Sequence, residues 1–288
     1  MTFAPEPEEL SSTTSAPAPK SEAATPEPPP LESRARKKAQ RFEYSPREMQ
    51  ALRKAIAEDS IPRLALYFLD YVLRAQASLF EQIHSRQNLT RISLSMAILC
   101  AFLSGIYGFS MGIHHGTLQA VSSAFKLPLL FLVTALFCVP SLYTFNVLLG
   151  QRFRFMQTVA LMTTTLGTTT ILLASLAPIS LFFTLTTNDR AFLLLMHVAI
   201  CGLCGIYGVR YLYRGCTYIA FRMEQPLNTF LLRMWITIYA IVGMQLSWRL
   251  RPFLGGTAGE DPFVFLRSDI DGNFFTAVWS ALTRVFGA

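Results

Sequence analysis

Five long apolar runs occupy the middle of the chain, and almost no charged residue interrupts them. A helix of about 20 apolar residues crosses the hydrocarbon core of a bilayer. The runs do not alternate apolar and polar residues, as the strands of a membrane barrel would. The pattern therefore predicts an all-α fold, a polytopic transmembrane helical bundle of about five spans at residues 92–113, 126–150, 156–183, 191–213 and 228–248.

Amphipathic segments flank the predicted bundle. Between residues 64 and 83 apolar residues recur at helical spacing, and charged residues such as Glu81 interrupt the run. We expect this segment to lie on the membrane surface, to pack against a partner, or to pack on the bundle itself. A second apolar face within residues 274–286 predicts an interfacial helix near the C-terminus.

Composition divides the chain into four parts. Residues 1–33 hold eight of the sixteen prolines and six Glu against one Lys, which is typical of disorder. Over the whole chain 52% of the residues are hydrophobic, as in membrane proteins. We predict a disordered tail at 1–41, a cytoplasmic amphipathic helical segment at 42–90, the transmembrane bundle at 91–250, and a tail with an interfacial helix at 251–288.

A basic cluster with no acidic residue inside it ends the predicted tail: Arg34, Arg36, Lys37, Lys38 and Arg41. On the cytoplasmic side of a membrane, such a cluster is attracted to anionic lipid by about 1 kcal/mol per charge. Nuclear targeting or nucleic-acid binding is the alternative interpretation. Because the rest of the chain is typical of a membrane protein, we expect contact with the lipid bilayer or with a protein partner, and no nucleic acid.

The distribution of Lys and Arg predicts the orientation of the chain. The segment before the first run is rich in both, and the loops after the second and fourth runs hold basic pairs, Arg152 and Arg154, and Arg214 and Arg222. The other two loops hold few basic residues. Since Lys and Arg stay on the cytoplasmic side of a membrane, we expect a cytoplasmic N-terminus and an external C-terminus.

One set of residues has the chemistry of metal ligands. His197, Cys201 and Cys204 are spaced by four and three, which places them on one face of a helix. An imidazole and two thiolates suit a soft metal ion. A structural zinc site needs a fourth ligand, and none is evident nearby. We therefore expect no metal and no cofactor, with close helix packing as the role of this face, and keep the three as candidate ligands.

The third run is rich in threonine around Gly167. A threonine hydroxyl can bond to the carbonyl four residues earlier, so the run can still enter a membrane. The threonines then either pack against a neighbouring helix or line a path for a small solute. In the second case the polar lining would comprise Asn146, Thr164, Thr165, Thr168 and Thr169.

Several stretches carry a resemblance to a known family: residues 126–130, 140–150, 174–178, 245–253 and 272–275. Together they make residues 90–285 resemble an uncharacterised family of bacterial multi-pass membrane proteins, most specifically in the Trp-x-Leu-Arg-Pro-Phe stretch that begins at Trp248. The resemblance implies a bacterial inner membrane and no known activity. The five-span plan is also similar in architecture to Yip-type membrane proteins, but this chain lacks their Asp-Leu-Tyr-Gly-Pro motif.

The functional expectation is a non-enzymatic membrane scaffold that recruits a partner through its N-terminal arm. No Ser/His/Asp set, paired carboxylates or phosphate-binding loop lies in the apolar block. The alternative is a small-solute transporter or channel, and against it the spans hold no Asp, Glu or Lys deep in the membrane. Oligomerisation is compatible with both. We also expect a structured cap outside the membrane from Trp248, Arg251, Pro252 and Asn273.

Overall fold

The computed structural model describes residues 45–148, 153–224, 229–251, 253–254 and 272–286, all within the compact unit Glu43–Ala288. Every regular element in these ranges is helical, which confirms the all-α class. The helices are α1 Pro46–Glu58, α2 Ile61–Arg74, α3 Gln76–His84, α4 Leu89–Gly112, α5 Thr117–Leu148, α6 Phe155–Ser175, α7 Ala177–Thr186, α8 Arg190–Arg222, α9 Thr229–Arg249 and α10 Phe274–Phe286.

Four segments are long and apolar enough to cross a membrane: Leu89–Gly112, Thr117–Phe145, Phe155–Ser175 and Arg190–Arg222. They correspond to the first four predicted spans and support the prediction of a polytopic membrane protein. The fifth predicted span corresponds to α9, which is 21 residues long. That α9 crosses a membrane stays a prediction.

The second predicted span begins earlier than expected. Its helix starts at Thr117, and Lys126, predicted as its first residue, lies well inside it and is buried. Gln119, Ser122 and Ser123 share its face and are buried as well. These polar side chains are covered by the rest of the protein. They therefore do not mark a boundary with water, and the helix continues through them. The expectation that no Lys is buried within a span is therefore wrong.

The third predicted span is two helices. α6 ends at Ser175 and α7 begins at Ala177, so the chain breaks at Leu176, just before Pro178. Proline lacks an N–H, and its ring would clash with the carbonyl four residues earlier in a continuous helix. Pro178 is tolerated because it lies in the first turn of α7. With 10 residues, α7 is too short to cross a bilayer alone.

α6 lies at the centre of the bundle. In its most apolar 18-residue window 72% of the residues are buried, against 22% in that of α8. α6 contacts α4, α5 and α8. α4 also packs closely on α5, where glycine permits the approach. A Cβ on Gly108 would overlap the carbonyl oxygen of Ser123, and one on Gly112 would lie 2.7 Å from the Cα of Ala120.

Helices α1, α2 and α3 pack on the bundle, and we call them the platform. The side chains of Leu64, Phe68 and Val72 on α2, and of Leu79 and Ile83 on α3, are fully buried. α2 contacts α4 and α6, and α3 contacts α6 and α8. Of the three placements expected for this segment, its apolar face therefore takes the third, against its own bundle.

We expect Gly108→Ala to lower the free energy of unfolding by about 1–3 kcal/mol, because the added methyl group would push α4 away from α5. Gly205→Ala is the matched control. It lies in the same Gly-Ile-Tyr-Gly sequence, on α8, and a Cβ there meets nothing within 4 Å. Thermal unfolding in detergent, followed by circular dichroism, makes the comparison. Equal melting temperatures for both variants would contradict this packing of α4 on α5.

Candidate functional site

Glu81 on α3 is the centre of a polar junction between the platform and the last turns of α8. One of its carboxylate oxygens accepts hydrogen bonds from the Tyr218 hydroxyl at 2.6 Å and from Nε of Arg222 at 2.9 Å. Nη2 of Arg222 lies 2.9 Å from the same oxygen, and the Glu81 side chain is only 13% exposed. A partly buried, charge-assisted contact of this kind is stronger than an exposed surface pair.

The junction holds Glu81 in its charged form. Burial raises the pKa of Glu81, but the hydrogen bonds from Arg222 and Tyr218 and the charge of Arg222 outweigh it and leave the pKa below its ordinary value. A lowered pKa in the folded state stabilises the fold above the ordinary pKa of the carboxyl group. That stabilisation is lost as the pH falls through the lowered value.

An aromatic contact positions Glu81 against α8. The ring of the preceding residue, Phe80, lies 4.9 Å from that of Tyr211 and 5.9 Å from that of Tyr218, centroid to centroid. Gly215 leaves room for the Phe80 ring, because a Cβ at this position would lie 2.9 Å from that ring. Phe80 therefore lies against α8, and Glu81 is directed towards Tyr218 and Arg222.

Two side chains of the bundle bind the ends of platform helices. Arg91 on α4 donates to the carbonyl of Ala57 at 2.8 Å and also to that of Asp59, at the end of α1. Gln157 on α6 donates to the carbonyls of Ile83 at 3.2 Å and His84 at 3.4 Å, at the end of α3. The last carbonyls of a helix have no partner within it, so these bonds satisfy them and attach the platform.

A second polar pair lies inside the bundle. The Tyr107 hydroxyl and Nδ1 of His197 are 2.8 Å apart, and both side chains are buried. The rings meet edge to face, with centroids 5.7 Å apart. In hydrocarbon an unpaired hydroxyl or imidazole is costly, so the pair joins α4 to α8 where water is excluded.

The three candidate metal ligands lie where α8 packs against other helices. Nδ1 of His197 contacts Tyr107, and Cys204 lies in a core cluster with Tyr107 and Leu173, against which Cys201 packs. In the part of the chain that the structure describes, no group of three or more His, Cys, Asp or Glu side chains could hold a metal ion. This face of α8 therefore joins helices.

The threonines of α6 are satisfied by their own helix. Thr164 donates to the carbonyl of Ala160 at 2.6 Å, and Thr165, Thr168 and Thr169 each donate to the carbonyl four residues earlier. All four are buried. A Cβ on Gly208 of α8 would overlap Thr169, which marks a close seam between helices rather than a water-filled path. The side chain of Asn146 lies outside the described residues.

Three of the four residues predicted to form a cap meet near the start of α10. The guanidinium carbon of Arg251 lies 3.4 Å from the centroid of the Trp248 ring, and the indole N–H donates to the carbonyl of Gly272 at 3.1 Å. The side chain of Asn273 accepts a hydrogen bond from the backbone N–H of Thr276 at 2.9 Å and begins α10. Pro252 lies outside the described residues.

The predicted basic contact residues also lie outside the described residues: Arg34, Arg36, Lys37, Lys38 and Arg41. Sequence analysis missed the Glu81 junction, since it treated Glu81 only as an interruption of an apolar run. A usable signal was present. Arg222 lies in the loop after the fourth predicted span, on the side predicted for the segment that contains Glu81, and a charged residue among apolar ones needs a partner.

Comparison with protein families, curated proteins and solved structures finds no match to this chain. The resemblance to a family of bacterial multi-pass membrane proteins therefore stays a prediction.

We expect Glu81→Gln to lower the free energy of unfolding by about 1–3 kcal/mol near neutral pH, because Arg222 loses its charged acceptor. The gap between wild type and variant should close as the pH falls through the lowered pKa of Glu81, where the wild-type carboxyl becomes neutral as well. Thermal unfolding at a series of pH values tests both statements.

Asp70→Asn is the control for this test. Asp70 pairs with Arg74 at 2.8 Å, but both side chains are exposed, so the change should have little effect at any pH. If Glu81→Gln and Asp70→Asn gave the same pH profile, the junction would not hold the platform.

Proposed function

We propose that the chain is a five-span integral membrane protein of a bacterial inner membrane, and a non-enzymatic scaffold that recruits a protein partner on the cytoplasmic side. The observation that carries the proposal is the attachment of the platform. The bundle binds it through Glu81, Arg91 and Gln157. A platform held in this way presents its own outer surface at a fixed place above the membrane.

The packing of α9 supports five spans. The indole N–H of Trp235 donates to the carbonyl of Cys138 at 3.2 Å and to the Ser141 hydroxyl at 3.0 Å, both on α5. α9 therefore packs along a candidate span, and its 21 residues are enough to cross a bilayer. An odd number of spans places the two ends of the chain on opposite sides.

The charges at the platform end of the bundle support a cytoplasmic platform. Arg86, Arg91 and Arg154 lie at or beside the starts of α4 and α6, and Arg222 ends α8. The four basic residues therefore lie at the end of the bundle that binds the platform. Since Lys and Arg are retained on the cytoplasmic side, this end faces the cytoplasm.

The outer face of α2 supports partner binding. Its inner face is buried, yet Leu66, Tyr67 and Leu73 are 67%, 47% and 54% exposed. Apolar side chains exposed together on one helix are a feature of interaction surfaces. We propose that the partner contacts this face in addition to the basic residues of the arm. The buried threonines bond within their own helix and therefore do not support a solute path, although buried Lys126 removes the objection that no Lys lies within a span.

Affinity capture from membranes in mild detergent tests the scaffold. We expect the full chain to capture a stoichiometric protein partner, and a chain that lacks residues 1–41 to lose it. Residues 46–84 are retained in this truncation because their apolar faces are buried within the platform and on the bundle. Leu66→Ser with Leu73→Ser should weaken capture by about tenfold, through the loss of two apolar contacts.

Gln50→Ser with Glu58→Ser is the matched control, since both residues are exposed on α1. It should capture the partner as the full chain does. The scaffold is contradicted if no form captures a stoichiometric partner, or if the truncated chain captures it as well as the full one.

A further inference from the structure

A cavity of about 490 Å³ opens at the platform end of the bundle, between the starts of α4 and α6. Its polar wall comprises Arg86, Asn88, Thr90 and Arg154. Two of these four side chains carry a positive charge, and none of the described residues that line the cavity is a carboxylate. We call this cavity the basic pocket. Its charge suits an anion.

The backbone around the basic pocket adds to its positive potential. α4 begins at Leu89 and α6 at Phe155, and both residues line the pocket. The first N–H groups of a helix lack partners within it, and that end carries a partial positive charge. Neither helix has an acidic residue in its first turn to neutralise this charge. The two helix starts therefore reinforce the two arginines.

The loop that forms one wall is held in an unusual conformation. Arg86 and Asn88 have φ angles of 62° and 54°, in the left-handed region that non-glycine residues seldom adopt. Such conformations cost free energy and persist where the surrounding structure holds them, often at binding sites. Here the conformation brings both residues to the same cavity as Arg154.

The apolar side of the basic pocket points to a lipid as the occupant. Phe155 and Met156 line the pocket and are 40% and 47% exposed. On α4, Leu94 and Ile98 follow Thr90 at intervals of four residues and are 46% and 40% exposed. An apolar strip therefore leads from the pocket along the surface of a candidate span. A free phosphate ion would make no contact with this apolar strip, whereas the acyl chain of a lipid would cover it.

We propose that the basic pocket binds the phosphate of an anionic phospholipid, such as phosphatidylglycerol, from the leaflet on the platform side. Arg86 and Arg154 bind the phosphate with the N–H groups at the starts of α4 and α6, and an acyl chain lies along Leu94 and Ile98. Basic pockets between spans on the cytoplasmic side are suited to anionic headgroups. The inference rests on the membrane insertion that we propose for the bundle.

The test counts the lipids that stay bound to the full chain. The protein is reconstituted in mixed phosphatidylcholine and phosphatidylglycerol, released into detergent, and examined by native mass spectrometry. Wild type should retain phosphatidylglycerol in preference to phosphatidylcholine. Arg86→Gln with Arg154→Gln should lower this preference by about 30-fold, since each arginine contributes a factor of about five.

Two further variants distinguish the loss of binding at the basic pocket from a general loss of positive charge and from misfolding. Arg47→Gln with Arg233→Gln removes the same charge from exposed sites outside the pocket, and should retain the preference. Thr90→Glu places a carboxylate in the pocket and should abolish it. An acidic residue in the first turn stabilises a helix, so this variant should fold.

Three outcomes would overturn the proposal: wild type without a preference, equal losses in both double-arginine variants, or displacement of the lipid by inorganic phosphate at comparable concentration. The last would assign the site to a free anion. Alkaline carbonate extraction of the cell membranes distinguishes the two proposals. A chain that resists extraction but shows no lipid preference contradicts only this inference, and one that is extracted contradicts the proposed membrane insertion as well.

Discussion

The bundle depends on polar side chains that find their partners inside the protein. Hydrocarbon offers no hydrogen bonds, so a polar side chain in a span is stabilised by a bond within its helix or to a neighbouring one. The threonines of α6 bond within their helix, whereas Tyr107 pairs with His197 on another helix, and Trp235 reaches the carbonyl of Cys138. The bonds of Tyr107 and Trp235 join neighbouring helices, and the threonines, whose hydroxyls are satisfied within α6, allow α8 to pack closely at Gly208.

The platform and the basic pocket share one structural element, the first turn of α6. Gln157 receives a hydrogen bond from the backbone N–H of Arg154 and donates its own amide to the carbonyl of Ile83. The helix that begins at the pocket therefore also holds the end of α3. Three residues before the end of α3, Glu81 is bound by Arg222 of α8. A lipid headgroup at the pocket would thus lie beside the bonds that attach the platform, and scaffold and lipid site would support each other.

Hydrophobic pattern alone predicted the helical class and the first four apolar helices, because hydropathy is a property of local sequence. It misplaced the start of α5, since Lys126 looked like a boundary and only tertiary packing shows that it is buried. It placed His197, Cys201 and Cys204 on one face, but could not show that the Tyr107 hydroxyl bonds to Nδ1 of His197. The Glu81 junction joins residues 141 positions apart, and a single sequence carries no direct sign of such a pairing.

The side of the membrane on which each end lies is the most direct test of this account. Ser45→Cys marks the start of the platform and Thr283→Cys marks α10, and both residues are exposed. With a membrane-impermeant maleimide, and the five native cysteines as background, we predict labelling at position 283 in intact cells and at position 45 only after permeabilisation. Labelling of both positions from the same side would mean an even number of spans, and would contradict the five-span scaffold.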